Sequence, residues 1–277
     1  MERYQEIERS IITTYRKTIW SPFIKGVKEY RLVNEGDKIA VCISGGKDSM
    51  LLAKCLEELK RHGEKKFELE FICMDPGYNK ENRELIEENA KALNIPITFF
   101  ETNIFDVAYS TEDNPCYLCA RMRRGHLYSK AQSLGCNKIA LGHHFNDVVE
   151  TIMMGILYNG QIQSMMPILR SANFPGMELI RPLYKVKEKD IINWQNYNGL
   201  KFLRCACRFT ESIAKSDDHV GESKRQEMKM LVKQLVEINP RADDNIFNCV
   251  QNINLDTCLA WKKDGKLTTF RDEYFKD

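Results

Sequence analysis

Six residues, Ser44-Gly45-Gly46-Lys47-Asp48-Ser49, constrain the fold of this chain more than any other segment. We call residues 44–49 the glycine loop, because an apolar strand pattern at 38–43 precedes it and a helix pattern at 47–62 overlaps its end. Consecutive glycines permit positive φ and let backbone N–H groups approach an anion, which the start of a helix also attracts. Lys47 and the two serine hydroxyls add further donors. The glycine loop is therefore a candidate phosphate-binding site.

The spacing within the glycine loop narrows what it could bind. The glycine pair directly precedes Lys47, which differs from the nucleoside triphosphate motif G-x-x-x-x-G-K-[ST] and from the dinucleotide motif G-x-G-x-x-G. The alternative to a binding site is a glycine-rich turn between strand and helix that holds no ligand.

Strand and helix patterns alternate after the glycine loop. Strands are predicted at 38–43, 67–74, 97–103 and 138–141, and helices at 47–62 and 80–93. This alternation predicts an α/β fold in which helices cover a parallel sheet. Ligands of such sheets bind beyond the carboxyl ends of the strands, so the residues that follow those ends should converge on the glycine loop.

Three residues at the predicted strand ends are candidates for the same site. Asp75 follows the second strand, where it is either a site residue or the first residue of an Asx turn before Pro-Gly. Gly142 follows the fourth strand and would allow close approach of a nucleotide. Asp147, in the first turn of the next helix, is expected to orient Lys47 or a magnesium ion.

Composition sets the outer limits of the prediction. The 277 residues, 43% of them hydrophobic, fit one large or two small domains with a substantial core. The charged start of the chain and the lack of a long apolar run predict a cytoplasmic protein without a membrane segment. A net charge of only +2 means that RNA binding would require locally concentrated basic residues.

Ten cysteines without an export signal indicate thiols, metal ligands or redox groups rather than disulfides. Cys116 and Cys119 could bind one metal centre, whether zinc or an iron-sulfur cluster, form a local disulfide, or relay a persulfide. Cys205 and Cys207 are flanked by arginines on both sides. The other cysteines in strands or on apolar faces are predicted to be buried hydrophobic residues, and these are Cys42, Cys55, Cys73 and Cys136.

Arginines follow the paired cysteines in the sequence and recur in a later segment that is predicted to be irregular. Arg121, Arg123 and Arg124 begin the predicted helix 121–134, where they would favour thiolate and could contact phosphate. Residues 155–186, which include Arg181, are predicted to be irregular and to form a flap at the mouth of the site. Arg121, Arg123, Arg124 and Arg181 are thus the candidate RNA-binding residues.

The predicted organisation has three parts. Residues 1–34 form a basic, amphipathic helical region, which is either a solvated surface or an RNA contact. Residues 35–186 form the α/β domain with the cysteine pair inserted in it. Residues 187–277 form a C-terminal helical region with helices at 187–198 and 222–255.

Several motifs together resemble one enzyme family. The glycine loop resembles the SGGxDS loop of the PP-loop ATP pyrophosphatases, which holds the β- and γ-phosphates of ATP so that the α-phosphate is attacked. The pattern Pro-Cys-x-x-Cys before Arg-x-Arg-Arg-Gly at 121–125, Lys-Ile-Ala-Leu-Gly-His-His at 138–144, Arg-Pro-Leu at 181–183 and Glu-Lys-Asp-Ile at 188–191 resembles the tRNA 2-thiocytidine synthetase family. The resemblance covers residues 30–258.

The resemblance implies a specific activity and a ligand set. Members of this family thiolate the cytidine at position 32 of the tRNA anticodon loop with ATP, magnesium and a four-iron, four-sulfur cluster on three cysteines. It implies that Cys116 and Cys119 are the first two ligands and Cys207 the third, with Cys205 in reserve because this chain has C-x-C where the family has C-x-x-C. It also implies that residues 44–49, Asp75, Gly142 and Asp147 bind the nucleotide. A second departure is Asn146, where the family usually carries Asp.

The chemistry implied is adenylation of the C2 oxygen of cytosine, followed by replacement with sulfur. The sulfur would come from a hydrosulfide on an open iron or from a persulfide on Cys116 or Cys119. Expected partners are tRNA, a cysteine desulfurase or another sulfur donor, and a second copy of the chain. Other interpretations are thiolation of a different nucleoside of the 2-thiouridine type, a lysidine-type tRNA ligase, an amidotransferase-type synthetase and a non-enzymatic RNA-binding protein.

Overall fold

The computed structural model describes residues 1–102, 104, 115–203 and 224–274, and it places the strand before the glycine loop inside a six-stranded sheet. The strands of this sheet are β1 (Lys38–Ile43), β2 (Glu68–Asp75), β3 (Ile97–Glu101), β4 (Lys138–Ala140), β5 (Ile168–Arg170) and β6 (Glu178–Ile180). They lie in the order β3-β2-β1-β4-β6-β5. All neighbouring pairs are parallel except β5 and β6, which are antiparallel.

Helices surround this sheet and continue beyond it. Those of the described residues are α1 (Arg3–Ile12), α2 (Ser21–Glu29), α3 (Lys47–His62), α4 (Lys80–Ala92), α5 (Pro115–Ser133), α6 (Phe145–Asn159), α7 (Glu188–Tyr197), α8 (Lys224–Ile238), α9 (Ala242–Cys249) and α10 (Phe270–Tyr274). A π-helical turn (Arg16–Trp20) joins α1 to α2, and a 3-10 turn (Leu255–Thr257) precedes an antiparallel hairpin of β7 (Ala260–Lys263) and β8 (Lys266–Thr269).

The central strand β1 is buried on both faces because its alternate side chains enter two different cores. Ile39, Val41 and Ile43 belong to the larger core, which includes residues of α1, α2, α3 and α7. Ala40 and Cys42 belong to a smaller core with side chains of α5, β4 and β6. This period of two explains why the strand reads as one continuous apolar run in the sequence.

The order of the strands creates a crevice next to the glycine loop. From β1 the chain builds β2 and β3 on one side, then crosses over to place β4 on the other side of β1. The loops after β1 and β4 therefore diverge at the carboxyl edge of the sheet, which is where open α/β sheets bind ligands. The predicted parallel α/β architecture is confirmed.

Several predicted boundaries differ from the structure. Helix α5 begins at Pro115 rather than near residue 121, because proline is well suited to the first turn of a helix. The prediction of an irregular segment at 155–186 is wrong, since α6 extends to Asn159 and β5 and β6 extend the sheet. The predicted helix at 222–255 is divided into α8 and α9, and the hairpin of β7 and β8 was not predicted.

The chain divides into two compact units. One comprises residues 1–148 and 165–223 and contains the six-stranded sheet, and the other comprises residues 149–164 and 224–277. In the second unit Arg225 pairs with Glu150, and the hydroxyl of Tyr158 donates to Glu227. Among the described helices, none is long and apolar enough to span a bilayer. The division into 1–34, 35–186 and 187–277 stays a prediction.

Candidate active site

The glycine loop is held in a tight, internally bonded conformation. Gly45 has a φ of 80°, and a Cβ atom there would lie 2.6 Å from Cγ1 of Ile86, so a side chain is excluded by both strain and space. The backbone N–H of Ser44 donates to Oγ of Ser49 at 3.2 Å, and that hydroxyl donates to the carbonyl of Gly46 at 2.9 Å. The loop is therefore shaped before any ligand binds.

Helix α3 begins at the glycine loop with donors left for a ligand. Its N-cap residue is Gly46, which supplies no side-chain hydrogen bond to the first turn. The first N–H groups of a helix have no partner within the helix, and they carry the positive end of the helix dipole. On the other side of the crevice, a Cβ atom on Gly142 would lie 3.0 Å from the backbone nitrogen of Ser49. Glycine at this position lets the end of β4 approach the helix.

Lys47 lies between two carboxylates. Its Nζ is 3.2 Å from Oδ2 of Asp48 and 3.2 Å from Oε1 of Glu188. Burial alone would lower the pKa of Lys47, but the two carboxylates outweigh burial and raise the pKa above its ordinary value. The side chain is therefore a fixed, charged ammonium at the start of α3.

Glu188 is a site residue that sequence reasoning did not single out. It is 141 residues from Lys47, and its position at the start of α7 depends on Asn146, whose Oδ1 accepts the backbone N–H of Glu188 at 2.9 Å. The only signal in the sequence was the Glu-Lys-Asp-Ile motif that carried the family resemblance. Asn146 thus has an acceptor oxygen in use, as the Asp of the family would have.

The two candidate aspartates, Asp48 and Asp147, have different partners. Oδ1 of Asp48 is buried without a hydrogen-bond partner among the described residues, and Nε2 of His144 lies 3.9 Å from it. Oδ2 of Asp147 accepts the backbone N–H of His144 at 2.9 Å. A buried carboxylate oxygen without a donor fits a hard cation such as magnesium. Among the side chains that the structure describes, no group of three or more His, Cys, Asp or Glu could hold a metal by itself.

Asp75 adopts the Asx-turn geometry at the end of β2. Its Oδ1 accepts the N–H groups of Gly77 at 2.9 Å and Tyr78 at 2.8 Å, and its Oδ2 lies 2.6 Å from Nη1 of Arg83. Burial raises the pKa of Asp75, but these hydrogen bonds and Arg83 outweigh it and leave the pKa below its ordinary value. A role of Asp75 in nucleotide binding stays a prediction.

The predicted cysteine ligands fall partly on α5 and partly outside the described residues. Cys116 and Cys119 fall within the first turns of that helix, whereas Cys205 and Cys207 lie outside the described residues. Further along α5, the charge of Arg123 lowers the pKa of Tyr78 in opposition to the dominant effect of burial, so this helix passes close to the loop after β2.

The candidate arginines differ in exposure. Arg121 and Arg124 are exposed, Arg123 is half-buried and Arg181 is buried.

The prediction that four cysteines are buried hydrophobic residues is confirmed. Cys42, Cys55, Cys73 and Cys136 are all buried. Burial raises the pKa of Cys136 to about 11 and that of Cys73 to about 12, so neither is a thiolate at neutral pH. These thiols are therefore poor metal ligands.

Comparison with known families agrees with this geometry. The model of the PP-loop domain matches residues 16–207, which include the glycine loop and the whole six-stranded sheet. The U34-tRNA thiolase NcsA from Methanococcus maripaludis, solved with its 4Fe-4S cluster, has the same fold, with a TM-score of 0.64 at 21% identity over 84% of this chain and 79% of that chain. Fold and site together define a PP-loop protein.

Sequence relatives narrow the class further. The tRNA-cytidine(32) 2-sulfurtransferase of Citrifermentans bemidjiense is 33% identical over 235 residues, covering 83% of this chain and 88% of that protein. The protein of the same name from Coxiella burnetii is 33% identical over 252 residues, covering 90% of this chain and 93% of that protein. The chain belongs to the tRNA-cytidine(32) 2-sulfurtransferase family of PP-loop proteins. The resemblance inferred from the motifs is confirmed.

Proposed function

We propose that the protein is an ATP-dependent tRNA sulfurtransferase that converts a cytidine, at position 32 of the anticodon loop, to 2-thiocytidine. The observation that carries the proposal is the fixed ammonium of Lys47, which lies between Asp48 and Glu188 at the uncapped start of α3. This arrangement suits the phosphates of ATP, and the names of the relatives supply the substrate. The cytoplasm, a cysteine desulfurase as sulfur donor and a homodimer are further parts of the proposal.

The reaction requires two displacements. The C2 oxygen of cytosine attacks the α-phosphorus of ATP and pyrophosphate leaves, which turns that oxygen into part of a good leaving group. A sulfur nucleophile then attacks C2, and AMP leaves with the oxygen. Residues 44–49 would hold the β- and γ-phosphates through N–H groups and Lys47, while Glu188 keeps the ammonium in place. Asp48 and Asp147 would hold the magnesium ion, with Gly142 and Asp75 beside the nucleotide.

Cys116, Cys119 and Cys207, with Cys205 in reserve for Cys207, would hold a four-iron, four-sulfur cluster. When bound, such a cluster with three protein ligands supplies an open iron for an external sulfur species. Arg121 and Arg123, which follow Cys119 in the sequence, would favour the thiolate form that ligation requires. The persulfide route through Cys116 or Cys119 would need the same thiolates without iron.

Other members of the class remain alternatives. A PP-loop enzyme that thiolates another nucleoside would share both the ATP site and the cysteines. A lysidine-type ligase would share only the ATP site and would have no use for the cysteine pair. Mass spectrometry of nucleosides from tRNA treated with the enzyme, ATP and sulfide distinguishes these products directly.

The test of the proposal combines anaerobic purification with substitution of single cysteines. The protein should contain about four irons and four sulfides per chain, and Cys116→Ala, Cys119→Ala and Cys207→Ala should each lose iron and thiolation but keep ATP binding. Cys136→Ala is the matched control, because its thiol is buried and its pKa is raised to about 11.

The outcomes are distinct. Retention of iron by Cys207→Ala together with its loss in Cys205→Ala moves the third ligand by two residues. If both variants keep iron and thiolate tRNA, the three-cysteine model is wrong and the persulfide route is favoured. A wild-type protein that binds ATP but forms no thiolated nucleoside under any of these conditions would contradict the proposal itself.

A further inference from the structure

A cavity of about 560 Å³ lies between α5 and the strands β5 and β6, in the unit that also carries the glycine loop. We call it the arginine pocket, after four of the residues that line it. Its principal lining side chains are Arg121, Arg124, Tyr128, Arg170, Phe174 and Arg181. Among the described residues, none with a carboxylate lines this cavity.

The deepest of these arginines has an incomplete set of partners. Arg181 is only 7% exposed, and its Nη1 donates to the carbonyl of Met166. Its Nε is buried without a hydrogen-bond partner among the described residues, and no described carboxylate forms an ion pair with it. A carbonyl oxygen carries no net charge, so the guanidinium charge lacks a counter-charge in contact. Buried charges in proteins are normally paired, which points to an external anion.

Other charges around Arg181 increase the need for an anion. Burial, followed by the positive charge of Arg124, lowers the pKa of Arg181 to about 10. Arg121 and Arg124 are exposed, and Arg170 is 93% exposed at 3.8 Å from Glu178. Arginine forks match the geometry of phosphate, and a cluster of them favours a phosphate over a single carboxylate.

Aromatic rings form another part of the wall. Tyr128 and Phe174 stack with ring centroids 5.1 Å apart and an interplanar angle of 13°. Phe174 is partly exposed, whereas Tyr128 is buried beneath it. Aromatic faces combined with guanidinium groups are characteristic of sites for unpaired RNA bases, whereas an acidic peptide would require only the charges.

The pocket also adjoins the candidate active site. The carboxylate of Asp147 is close enough to Arg181 to raise its pKa, in opposition to the larger effect of burial. Asp147 lies in the first turn of α6, shortly after Gly142 in the sequence. A nucleotide in the arginine pocket would thus be next to the place where the target base is adenylated.

We infer that the arginine pocket binds one unpaired nucleotide of the substrate tRNA, with its phosphate on Arg181 and Arg124 and its base beside Phe174. This inference rests on the proposed function for the identity of the RNA. The pocket is a subsite for a neighbour of the modified base, and it would hold the anticodon loop in register with the glycine loop.

Equilibrium binding tests this inference without requiring thiolation. The full chain and its variants Arg124→Gln, Arg181→Gln and Lys91→Gln are titrated with an unmodified tRNA transcript at several salt concentrations. Each arginine variant should bind tRNA about tenfold more weakly at low salt, and the slope of log affinity against log salt should fall by about 0.7–0.9. Lys91 is exposed on α4, away from the pocket lining, so its variant should keep the wild-type affinity.

Three results would overturn the inference. The first is an Arg124→Gln variant that folds and binds tRNA with the wild-type affinity and salt slope. Because Arg124 is exposed, this variant tests the inference even if Arg181→Gln does not fold. The second is loss of ATP binding instead of tRNA binding, which would assign the pocket to the phosphates of ATP. The third is a result in which the arginine variants, titrated with polyglutamate in parallel, bind polyglutamate more weakly but bind tRNA normally. That result would assign the arginine pocket to an acidic protein partner.

Failure of the proposed function gives a different pattern. A protein that never thiolates tRNA, yet depends on Arg124 and Arg181 to bind it, keeps the inference. A thiolating enzyme whose variants bind tRNA normally loses the inference and keeps the function.

Discussion

Buried positive charges have different partners at the amino edge of the central sheet, where its parallel strands begin, and at the carboxyl edge, where they end. At the amino edge, Lys138 begins β4 and is buried, and its ammonium lies 2.8 Å from Oδ2 of Asp37, 3.4 Å from Oε2 of Glu178 and 3.0 Å from the carbonyl of Leu32. An ammonium has three N–H donors, so this group is fully satisfied. At the carboxyl edge, Arg181 follows the neighbouring strand β6; among the described residues it has one carbonyl partner, and its Nε has none.

Lys47 at the same carboxyl edge is an intermediate case. Its two carboxylate partners lie at 3.2 Å, and one of them, Asp48, has a buried oxygen without a donor in the part of the chain that the structure describes. A closed ion-pair network stabilises a fold, whereas incomplete pairing at a crevice leaves room for a charged ligand. The difference therefore separates the paired charges within the sheet from the charges that we propose bind ATP or RNA.

The largest expected effect is on the stability of the amino edge. Lys138→Met would leave Asp37 and Glu178 without their cation, and loss of one partner of a buried pair should lower the free energy of unfolding by about 3–5 kcal/mol. Urea denaturation measures this change. Lys38→Met is the control, because Lys38 begins β1 but pairs with the more exposed Glu70 at 2.9 Å.

A double variant sharpens this test. Asp37→Asn in the Lys138→Met background removes the unpaired charge, and its single amide oxygen can still accept either the N–H of Asn34 or that of the Asn137 amide, so part of the stability should return. Equal losses in Lys138→Met and Lys38→Met would show that burial of the amino-edge network adds nothing.

The second effect is on ATP binding at the carboxyl edge. Lys47→Met should weaken ATP binding at least tenfold, because one charge-assisted phosphate contact contributes about 1.5–3 kcal/mol. Its effect on the free energy of unfolding should be smaller than that of Lys138→Met, since Asp48 and Glu188 can regain water at the open crevice. Calorimetric titration with ATP and urea denaturation provide the two numbers.

The proposed difference between Lys47 as a ligand-binding charge and Lys138 as a structural charge can be contradicted directly. A Lys47→Met variant that binds ATP normally but unfolds as readily as Lys138→Met would place Lys47 among the structural charges. Lys38→Met again serves as the control, and it should leave ATP binding unchanged.

The sequence was sufficient to predict the helices and strands that local residue patterns determine. The helix 47–62 matches α3 from Lys47 to His62, because an apolar strand, a glycine pair and an amphipathic helix follow one another within a short segment. Strands β5 and β6 were not predicted, because each is only three residues long and is recognised as a strand only by its pairing, β6 with β4 and β5 with β6. Pairing of distant segments leaves no periodic signal in so few residues.

The candidate site shows the same limit. The glycine loop could be located from its own residues, but the contact of Lys47 with Glu188 spans 141 positions and depends on where α7 begins. Arg181 could be proposed as an RNA contact from its charge, whereas its burial follows from the sheet extension that the sequence did not reveal. Side chains brought together by topology therefore require the fold before their partners can be named.

Asp75 is a negative charge at the carboxyl edge that has a full set of partners. Its substitution is expected to give the smallest of the predicted effects. At the carboxyl edge its carboxylate is fully engaged by Gly77, Tyr78 and Arg83, which hold its pKa below the ordinary value of 3.8 against the effect of burial. Because the pKa is lowered in the folded protein, the carboxylate contributes its full stabilisation above the ordinary value of 3.8. This contribution is lost as the pH falls through the lowered pKa. Asp75→Asn should therefore cost about 1 kcal/mol at pH 7 and flatten the acid limb of stability against pH.

The matched control is Glu87→Gln, which removes the half-exposed partner of the same arginine, 2.6 Å from Nε of Arg83. Because exposed pairs contribute little, this variant should change stability less than Asp75→Asn and leave the acid limb intact. ATP titration of both variants then separates the two interpretations of Asp75. Weaker ATP binding in Asp75→Asn alone, with stability unchanged, would make this carboxylate a nucleotide ligand. Loss of stability alone, with ATP binding intact, would make it a structural turn residue, in contrast to Asp48 and Arg181, each of which has a buried polar atom without a hydrogen-bond partner among the described residues.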